Sequence, residues 1–159
     1  MSDITFQRLD DSFERWQELL ELILASFAYM LGKIDPPSSA LSLTPRLLRE
    51  KAGNEIAYVA FDNDQLAGCI FCRPEPHGLY IGKLAILPAA QGMGIGRHLL
   101  RLAETTAREL GLAELRLETR IELIGNHAIF ANWGFRKTAE NRHPGFDRTT
   151  SIEMRKILT

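Results

Sequence analysis

The sequence predicts an α/β fold built on a mixed sheet. Three strand candidates follow one another with only short turns between them, a pattern that favours an antiparallel meander. After the third come a glycine-rich segment, a helix and another strand, and such a unit places its two strands parallel through a right-handed crossover. The chain has 159 residues, the size of one typical domain, so we expect residues 1–159 to form a single domain.

The first quarter of the chain predicts a strand and a helix. The strand covers Ile4–Leu9, and Ser12 is the expected N-cap of the helix that follows. Its second half, Leu22–Leu31, is apolar nearly all round, so we expect both of its sides to be covered. The apolar residues that recur three and four positions apart along this helix are Phe13, Trp16, Leu20, Ile23, Phe27 and Met30.

The middle of the chain predicts a second helix and the meander. Thr44, followed directly by proline, is the expected N-cap of a short helix that ends near Gly53. Strands rich in β-branched and aromatic residues are then expected at Glu55–Asp62, Gln65–Arg73 and Leu79–Leu87. The connections between them are short, so antiparallel hairpins are the natural pairing.

The second half predicts a long helix, a short helix and three strands. The long helix spans Gly96–Leu110 and ends at the C-cap Gly111. Its expected core positions are Leu99, Leu102, Ala103 and Leu110. The remaining elements are expected at Glu114–Thr119 (strand), Asn126–Trp133 (helix), Phe135–Glu140 (strand) and Thr149–Ile157 (strand).

Charge and composition exclude several classes of partner. Nineteen basic and twenty acidic residues give a formal net charge of −1, which supplies no basic field, so we expect neither nucleic-acid nor membrane partners. The apolar stretch Leu22–Leu31 is shorter than the roughly 20 residues that span a bilayer. The N-terminal residues do not resemble a signal peptide, and we expect a cytoplasmic protein. Cys69 and Cys72 should point to opposite faces of one strand, so we expect buried reduced thiols and no metal site.

The strongest local signal is the segment Gln91–Arg97, between a buried strand and the start of a helix. Its three glycines at alternate positions let the backbone approach a ligand closely and direct several N–H groups at one point. The helix carries basic residues in its first two turns and no acid before Glu104. Basic charge at the positive end of a helix dipole is unfavourable unless an anion binds there. The segment therefore predicts a phosphate-binding loop. The basic residues are Arg97, His98 and Arg101.

The spacing of the glycines discriminates between phosphate ligands. A Walker loop needs a second glycine five residues after the first, and from Gly92 that position is Arg97. A dinucleotide fingerprint needs its third glycine five residues after its first. That position is Arg97 if the first glycine is Gly92, and Leu99 if it is Gly94. Both patterns fail. Glu118, near the end of the next strand, has the position of a ribose-binding acid, so dinucleotide binding stays open as an alternative.

Two motifs occur in order along the chain. The strand Leu84–Pro88 is followed by Gln91-x-x-Gly94-x-Gly96 and a helix, and Asn126–Phe130 precedes Gly134-Phe135. These motifs resemble those of the GNAT superfamily of acetyl-CoA-dependent N-acetyltransferases, and the order of elements is similar over nearly the whole chain. The resemblance implies a GNAT-like mixed sheet with an antiparallel N-terminal meander, a central parallel and splayed strand pair, and flanking helices.

The resemblance also implies a site for acetyl-CoA. The N–H groups of the glycine-rich segment would bind the pyrophosphate, and the pantetheine arm would pair with the splayed strand. The N–H of Leu84 would act on the thioester carbonyl as an oxyanion hole. Arg97 would lie at the mouth, Arg101 near the nucleotide, and Asn126 on the pantetheine arm. The implied cofactor-binding residues are Leu84, Ala85, Ile86, Gln91, Gly92, Met93, Gly94, Ile95, Gly96, Arg97, Asn126 and Phe130.

Phe130 departs from the family pattern. Many relatives place a tyrosine four residues before the Gly-Phe pair, where its hydroxyl can protonate the departing thiolate. Phenylalanine has no proton to give, so we interpret Phe130 as packing on the cofactor arm. A thiolate with a pKa near ~8.5 is still a tolerable leaving group.

An acceptor amine with a pKa of ~10.4 must lose a proton before it attacks the thioester. Glu118, at the carboxyl end of the strand parallel to the signature strand, is our first candidate for the base. His77 and His98 are expected at the surface. The other candidates, in lower ranks, are His143, Glu122, His127 and Tyr80.

The acceptor should contact the poorly periodic segments of the chain. These are the first helix around Phe27, Tyr29 and Met30, the loop Ile34–Thr44, and the turn His143–Arg148. They contain few acids, which argues against a polycationic acceptor and leaves a small-molecule amine or a protein amine. The sequence is also compatible with a homodimer. A non-catalytic acyl-CoA sensor is the alternative function, because the tyrosine acid is missing and no single base is decisive.

Overall fold

The structure, a computed structural model, describes residues 3–159, which form seven strands and four α-helices. The strands are β1 (Ile4–Arg8), β2 (Ile56–Asp62), β3 (Gln65–Pro74), β4 (Leu79–Ile86), β5 (Glu114–Arg120), β6 (Arg136–Asn141) and β7 (Ser151–Ile157). The helices are α1 (Trp16–Phe27), α2 (Pro45–Asn54), α3 (Ile95–Glu109) and α4 (Ile124–Asn132).

All seven strands belong to one sheet, in the order β1-β2-β3-β4-β5-β7-β6. Neighbouring strands are antiparallel except β4 and β5, which are parallel. The predicted α/β class, the N-terminal meander and the central parallel pair are therefore confirmed. One parallel pair is not the doubly wound parallel sheet on which dinucleotide-binding folds are built.

Apolar side chains cover the sheet on both faces. Helix α3 packs on one face against residues such as Leu79, Leu115 and Met154. Helices α1 and α2 pack on the other face against Val59 and Phe71. This two-sided core explains why β3, the strand between the two layers, is almost continuously buried.

The two cysteines follow the predicted alternation. Cys69 belongs to the apolar layer under α1 and α2, and Cys72 to the layer under α3. Both thiols are free and buried, and burial raises the pKa of each to about 12. They are therefore protonated core side chains. None of the helices within residues 3–159 has the length and the apolar character needed to cross a bilayer.

The structure confirms one predicted helix end and differs from the prediction at two others. Thr44 is the N-cap of α2 as predicted, because its Oγ1 accepts a hydrogen bond from the Leu47 N–H at 3.1 Å. Ser12 is not an N-cap, since it donates its own N–H to Asp10 at 2.8 Å and α1 begins only at Trp16. Leu110 was predicted to lie in the core but is half exposed, because α3 ends at the preceding residue.

The apolar stretch after α1 is only partly covered. Helix α1 ends at Phe27 and continues as a single 3₁₀ turn through Met30, which is buried. Leu24 and Leu31 face solvent, so the expectation that both sides of this stretch are covered was wrong. Isolated exposed leucines of this kind are common on protein surfaces.

Candidate active site

The centre of the sheet opens into a fork between β4 and β5. The two strands pair only where Leu79, Tyr80 and Ile81 lie opposite Leu115, Arg116 and Leu117. Beyond Ile81, β4 continues for five more residues without pairing to β5. The fork therefore leaves one edge of a central strand without a strand partner, which is the splayed geometry that the resemblance implied.

A one-residue bulge lies at the point where the fork begins. Cys72 pairs with Ile81 while the neighbouring Phe71 pairs with Lys83, so Gly82 of β4 has no partner on β3. A bulge bends its strand and shifts the direction of the groups that follow it. Here it coincides with the last residue of β4 that pairs with β5, and so accounts for the divergence of the two strands.

The direction of the backbone groups in the fork follows from the pairing with β3. The N–H of Leu87 donates to Ala67 of β3 at 2.8 Å. Because N–H groups alternate along a strand, the N–H groups of Ile86 and Leu84 point away from β3 and into the fork. The N–H of Leu84, the predicted oxyanion donor, is thus directed at the gap.

Ser26 of α1 also reaches the fork, and the sequence analysis missed it. Its Oγ accepts a hydrogen bond from the N–H of Ile86 at 3.1 Å. Ser26 is a buried polar residue in an otherwise apolar stretch of α1. Ser26 is the one serine in the apolar run Leu22–Leu31, and this was the signal that could have identified it, since a buried hydroxyl needs a partner.

The glycine-rich segment forms the turn that opens α3. Gly92 and Gly94 have φ of +87° and +79°, in the left-handed region that glycine adopts without strain. A Cβ on either residue would meet nothing within 4 Å, so the requirement for glycine is conformational and the surface in front of the loop is open. Gly94 is the N-cap of α3, and the first turn of that helix contains no acid. The free N–H groups at this end form an anion-binding arrangement.

A basic cavity of about 80 Å³ lies beside this helix end. Arg97 and Arg101 of α3 line it together with Trp133 and Lys156, and Lys156 forms an ion pair with Glu104. The cavity therefore brings the two arginines predicted for the nucleotide end of the cofactor into one place. Trp133 and Lys156 are additions that lie far from the glycine motif in sequence, so the spacing analysis could not include them.

Phe130 of α4 packs against the apolar layer under α3. Its ring is partly buried and makes edge-on contacts with Trp133 and Phe135, at centroid distances of 6.0 and 5.8 Å. Nearby on α4, the Asn126 amide donates to the Tyr29 hydroxyl at 3.0 Å. A residue predicted for the cofactor and one predicted for the acceptor are thus in direct contact.

Three titratable side chains leave the sheet near the fork on the side of α1 and α2. In β4 and β5 the flanking residues Leu79, Ile81, Leu115 and Leu117 pack under α3, so Tyr80 and Glu118 point to the opposite face. The Glu118 carboxylate accepts a hydrogen bond from Asn141 at 2.8 Å and is otherwise exposed. Burial and the negative charge of Glu118 raise the pKa of the Tyr80 hydroxyl. The third, Lys83, follows the bulge.

His143 and Glu122 lie close to Glu118. Partial burial, followed by the positive charge of Arg120, lowers the pKa of the His143 imidazole, and the charges of Glu118 and Glu122 oppose that shift. The Nδ1 atom of His143 also shares a hydrogen bond with the Thr150 hydroxyl, and the tautomer of the imidazole decides which of the two donates. Within residues 3–159, Oε1 of Glu122 is buried with no hydrogen-bond partner.

Three distant segments meet at this end of the site. Arg120 donates to the Pro36 carbonyl at 2.6 Å, which ties the loop after α1 to the end of β5. Arg148, in the loop between β6 and β7, contacts Asp35 at 3.3 Å and Glu122 at 3.6 Å. We call these contacts the loop clamp; they bring two of the three segments predicted for the acceptor, the loop after α1 and the turn before β7, to the end of β5.

The other histidines and the three residues predicted to contact the acceptor differ in their exposure and in their contacts. His127 is bound to the Arg120 carbonyl at 2.8 Å. Phe27 packs against the apolar layer of α1, and Met30 is buried, so only Tyr29 of the three presents its side chain to solvent. His77 and His98 are exposed as predicted, with His98 stacked on the ring of Phe6.

Comparison with known proteins matches this architecture to one family. The sequence model described as "Acetyltransferase (GNAT) family" matches residues 16–135. N-alpha-acetyltransferase 30 of Schizosaccharomyces pombe is 30% identical over 86 residues, which is 51% of this chain and 57% of that protein. Mycothiol acetyltransferase of Jonesia denitrificans is 31% identical over 93 residues, or 56% of this chain and 28% of that protein. The chain thus spans about half of the first relative and about a quarter of the second.

Solved structures share the fold over almost the full chain. The PaiA N-acetyltransferase from Thermoplasma acidophilum, crystallised with coenzyme A, superposes with a TM-score of 0.78 at 19% identity. The match covers 97% of this chain and 99% of that one. At this level of identity the similarity extends to the fold alone.

Proposed function

Because the chain belongs to the GNAT family of acetyltransferases, we propose that it transfers the acetyl group of acetyl-CoA to a primary amine. In this proposal the amine attacks the thioester directly in a ternary complex, and residues 1–159 act as one catalytic domain. The observation that carries the proposal is the fork at Gly82, where a central strand loses its partner. An extended thioester can lie there with its carbonyl beside the N–H of Leu84. Holding two reactants in line is the main requirement of such a transfer.

The cofactor is proposed to lie along the fork and across the start of α3. The pyrophosphate would take the N–H groups of Gln91, Gly92, Met93, Gly94, Ile95 and Gly96. Arg97 and Arg101 would face the nucleotide phosphates from the basic cavity. The open surface at Gly92 and Gly94 supports this assignment, since no side chain occupies the space in front of the loop.

The pantetheine arm is proposed to follow Leu84, Ala85 and Ile86. The N–H of Ile86 is already bound to Ser26, so the arm either displaces that hydroxyl or shares the donor with it. The N–H of Leu84 would stabilise the negative charge on the carbonyl oxygen as the amine adds. A fixed donor of this kind contributes about 3–4 kcal/mol in comparable enzymes.

Glu118 is proposed as the base that takes a proton from the acceptor amine. It is exposed, it lies on the face of the sheet opposite α3, and it directly follows the last residue of β5 that pairs with β4. His143 is a second proton acceptor at the same end, because its lowered pKa favours the neutral imidazole at pH 7. Glu122 is less suited, since one of its carboxylate oxygens is held by Arg148 in the loop clamp.

The proton for the departing thiolate is proposed to come from the attacking amine. Phe130 has no proton to donate, and its ring contacts support a packing role beside the cofactor arm. Asn126 is proposed to contact the same arm. The acceptor is proposed to enter between Tyr29 and the loop clamp, and both a small-molecule amine and a protein amine are consistent with this entrance.

Thiol release from acetyl-CoA across a panel of amines tests the proposal. The panel should contain polyamines, amino acids and peptides with free N-termini, and binding of CoA should be measured in parallel by calorimetry. We expect CoA to bind and at least one amine to accelerate thiol release above the rate without acceptor. Absence of CoA binding would contradict the proposal.

A non-catalytic acyl-CoA sensor is the second candidate function, and Phe130 is the observation that favours it. Such a protein would bind CoA through the same loop and fork but would lack acceptor-dependent turnover. Tight CoA binding with no acceleration by any amine in the panel would therefore select the sensor.

A further inference from the structure

A small cluster of charged side chains covers the bulge at the start of the fork. Lys51, in the last turn of α2, contacts the Glu55 carboxylate at 2.6 Å. A Cβ built on Gly82 would lie 3.9 Å from both Lys51 Nζ and Glu55 Oε1. The Lys51–Glu55 pair is therefore in place directly above the residue at which β4 leaves β5.

Lys83 belongs to the same cluster. It pairs with Phe71, a core residue on the α1 and α2 side of the sheet, so its side chain leaves β4 toward α2. Its ammonium interacts electrostatically with both Lys51 and Glu55. Lys83 thus leaves β4 beside the bulge, from the position adjacent to Leu84, whose N–H faces the gap.

Lys83 differs from the other four lysines of the sequence. Lys51, Lys137 and Lys156 each form an ion pair with a glutamate, and Lys33 lies 5.9 Å from the ring of Tyr29. Lys83 has no carboxylate within 4 Å among residues 3–159. Burial, followed by the charge of Lys51, lowers the pKa of its ammonium, so more of it is a neutral amine.

We propose that Lys83 is a self-acetylation site, at which the chain modifies itself with bound acetyl-CoA when no acceptor fills the cleft. This inference rests on the proposed function, because it uses the same donor and the same fork. The neutral Nζ of Lys83 attacks the thioester carbonyl, the N–C bond forms and the C–S bond breaks. One proton of the amine passes to the departing thiolate, so the products are acetyl-Lys83 and CoA.

Mass spectrometry of the purified chain after incubation with acetyl-CoA alone tests this site. We expect the intact mass to rise by one acetyl group and peptide mapping to locate it at Lys83. Lys83→Arg keeps a positive charge but removes the nucleophile, so it should remain unmodified. Lys137→Arg removes an exposed lysine and should be acetylated like the unmodified sequence. Labelling of Lys83→Arg to the same extent, or acetyl groups spread over the exposed lysines, would overturn the proposal.

Calorimetry with CoA separates this inference from the proposed function. If CoA binds and Lys83 stays unmodified, the self-acetylation site is refuted while the cofactor site stands. If CoA does not bind, the proposed function fails and the self-acetylation site fails with it. Acetylation of Lys83 that persists in Gly94→Glu would show attack by free acetyl-CoA in solution, and would equally refute a site that depends on the bound cofactor.

Discussion

The two sides of the fork are constructed in different ways. On the side proposed for the cofactor, the groups are backbone N–H groups from one continuous stretch, Leu84–Gly96, whose turn depends on the glycines at 92 and 94. On the side proposed for the acceptor, the groups are side chains from three separate segments, which the loop clamp holds together through Arg120 and Arg148.

This difference affects how each side responds to substitution. A backbone site keeps its chemistry through most side-chain changes but fails when a conformation reserved for glycine is lost. A site assembled from exposed side chains loses its parts one at a time, and each exposed ion pair contributes only about 0.2–1 kcal/mol. We therefore expect large effects on the cofactor side and graded effects on the acceptor side.

Gly94→Glu should have the largest effect. The new residue must adopt the left-handed backbone at φ +79°, and its carboxylate would lie where the pyrophosphate is proposed to bind. We expect CoA binding to be lost in calorimetry while the circular dichroism spectrum stays that of a folded chain.

Gly111→Glu is the matched control for this substitution. Gly111 has φ of +73° and, like Gly94, no atom within 4 Å of a built Cβ, but it lies at the opposite end of α3. It therefore carries a similar backbone cost and the same added charge. If both variants lose CoA affinity equally, backbone strain alone explains the loss and the pyrophosphate site is misplaced.

Glu118→Gln should have the next largest effect, on turnover and not on cofactor affinity. Removing a general base typically lowers the rate by roughly 10²–10⁴-fold. We expect that loss in kcat with the best amine of the panel, and unchanged binding of CoA. Glu109→Gln, at an exposed position at the end of α3, is the control. Unchanged kcat of Glu118→Gln across the pH range would exclude Glu118 as the base and favour His143.

The strand, turn and helix proposed for the cofactor could be predicted from the sequence because their signal is local. The three glycines at alternate positions, a strand before them and a helix after them lie within one short window, and the fold confirms the strand, turn and helix. The bulge at Gly82 could not be predicted, because a bulge is defined by the pairing of Phe71 and Cys72 on another strand. The fork was therefore an implication of the resemblance and could not be derived from spacing.

The acceptor side could not be assembled from the sequence for the same reason. Arg120 and Pro36 are 84 positions apart, and Arg148 and Asp35 are 113 apart. No periodicity connects such residues; only the path of the chain brings them together. The acceptor role of Phe27 and Met30 stays a prediction, and the sequence could not show that both side chains pack in or against the core, because apolar side chains beside a cleft and in a core look alike in a sequence.

Arg148→Ala tests the loop clamp. The substitution removes the contacts with Asp35 and Glu122, each worth about 0.2–1 kcal/mol at an exposed position. We expect faster hydrogen exchange in residues 33–38, a KM for the acceptor raised a few-fold, and an unchanged KM for acetyl-CoA. Arg142→Ala is the control, because Arg142 is exposed at the first position of the same loop and forms no ion pair within residues 3–159; it should change none of these quantities. Unchanged exchange in residues 33–38 would mean that the clamp does not hold the loop.

Ser26→Ala should have the smallest effect on turnover, because its consequences fall on stability and on CoA affinity. The substitution leaves the Ile86 N–H without its acceptor, and an unsatisfied donor at such a position lowers the free energy of unfolding by about 1–3 kcal/mol. If the pantetheine arm takes the Ile86 N–H, the CoA-bound variant should be as stable as the CoA-bound unmodified chain. The variant should also bind CoA more tightly, because no hydroxyl has to be displaced. Urea unfolding with and without CoA measures both quantities, and Ser42→Ala, at an exposed position, is the control. A variant that stays equally destabilised with saturating CoA would show that the arm and Ser26 do not share Ile86, and would move the proposed path of pantetheine away from this end of β4.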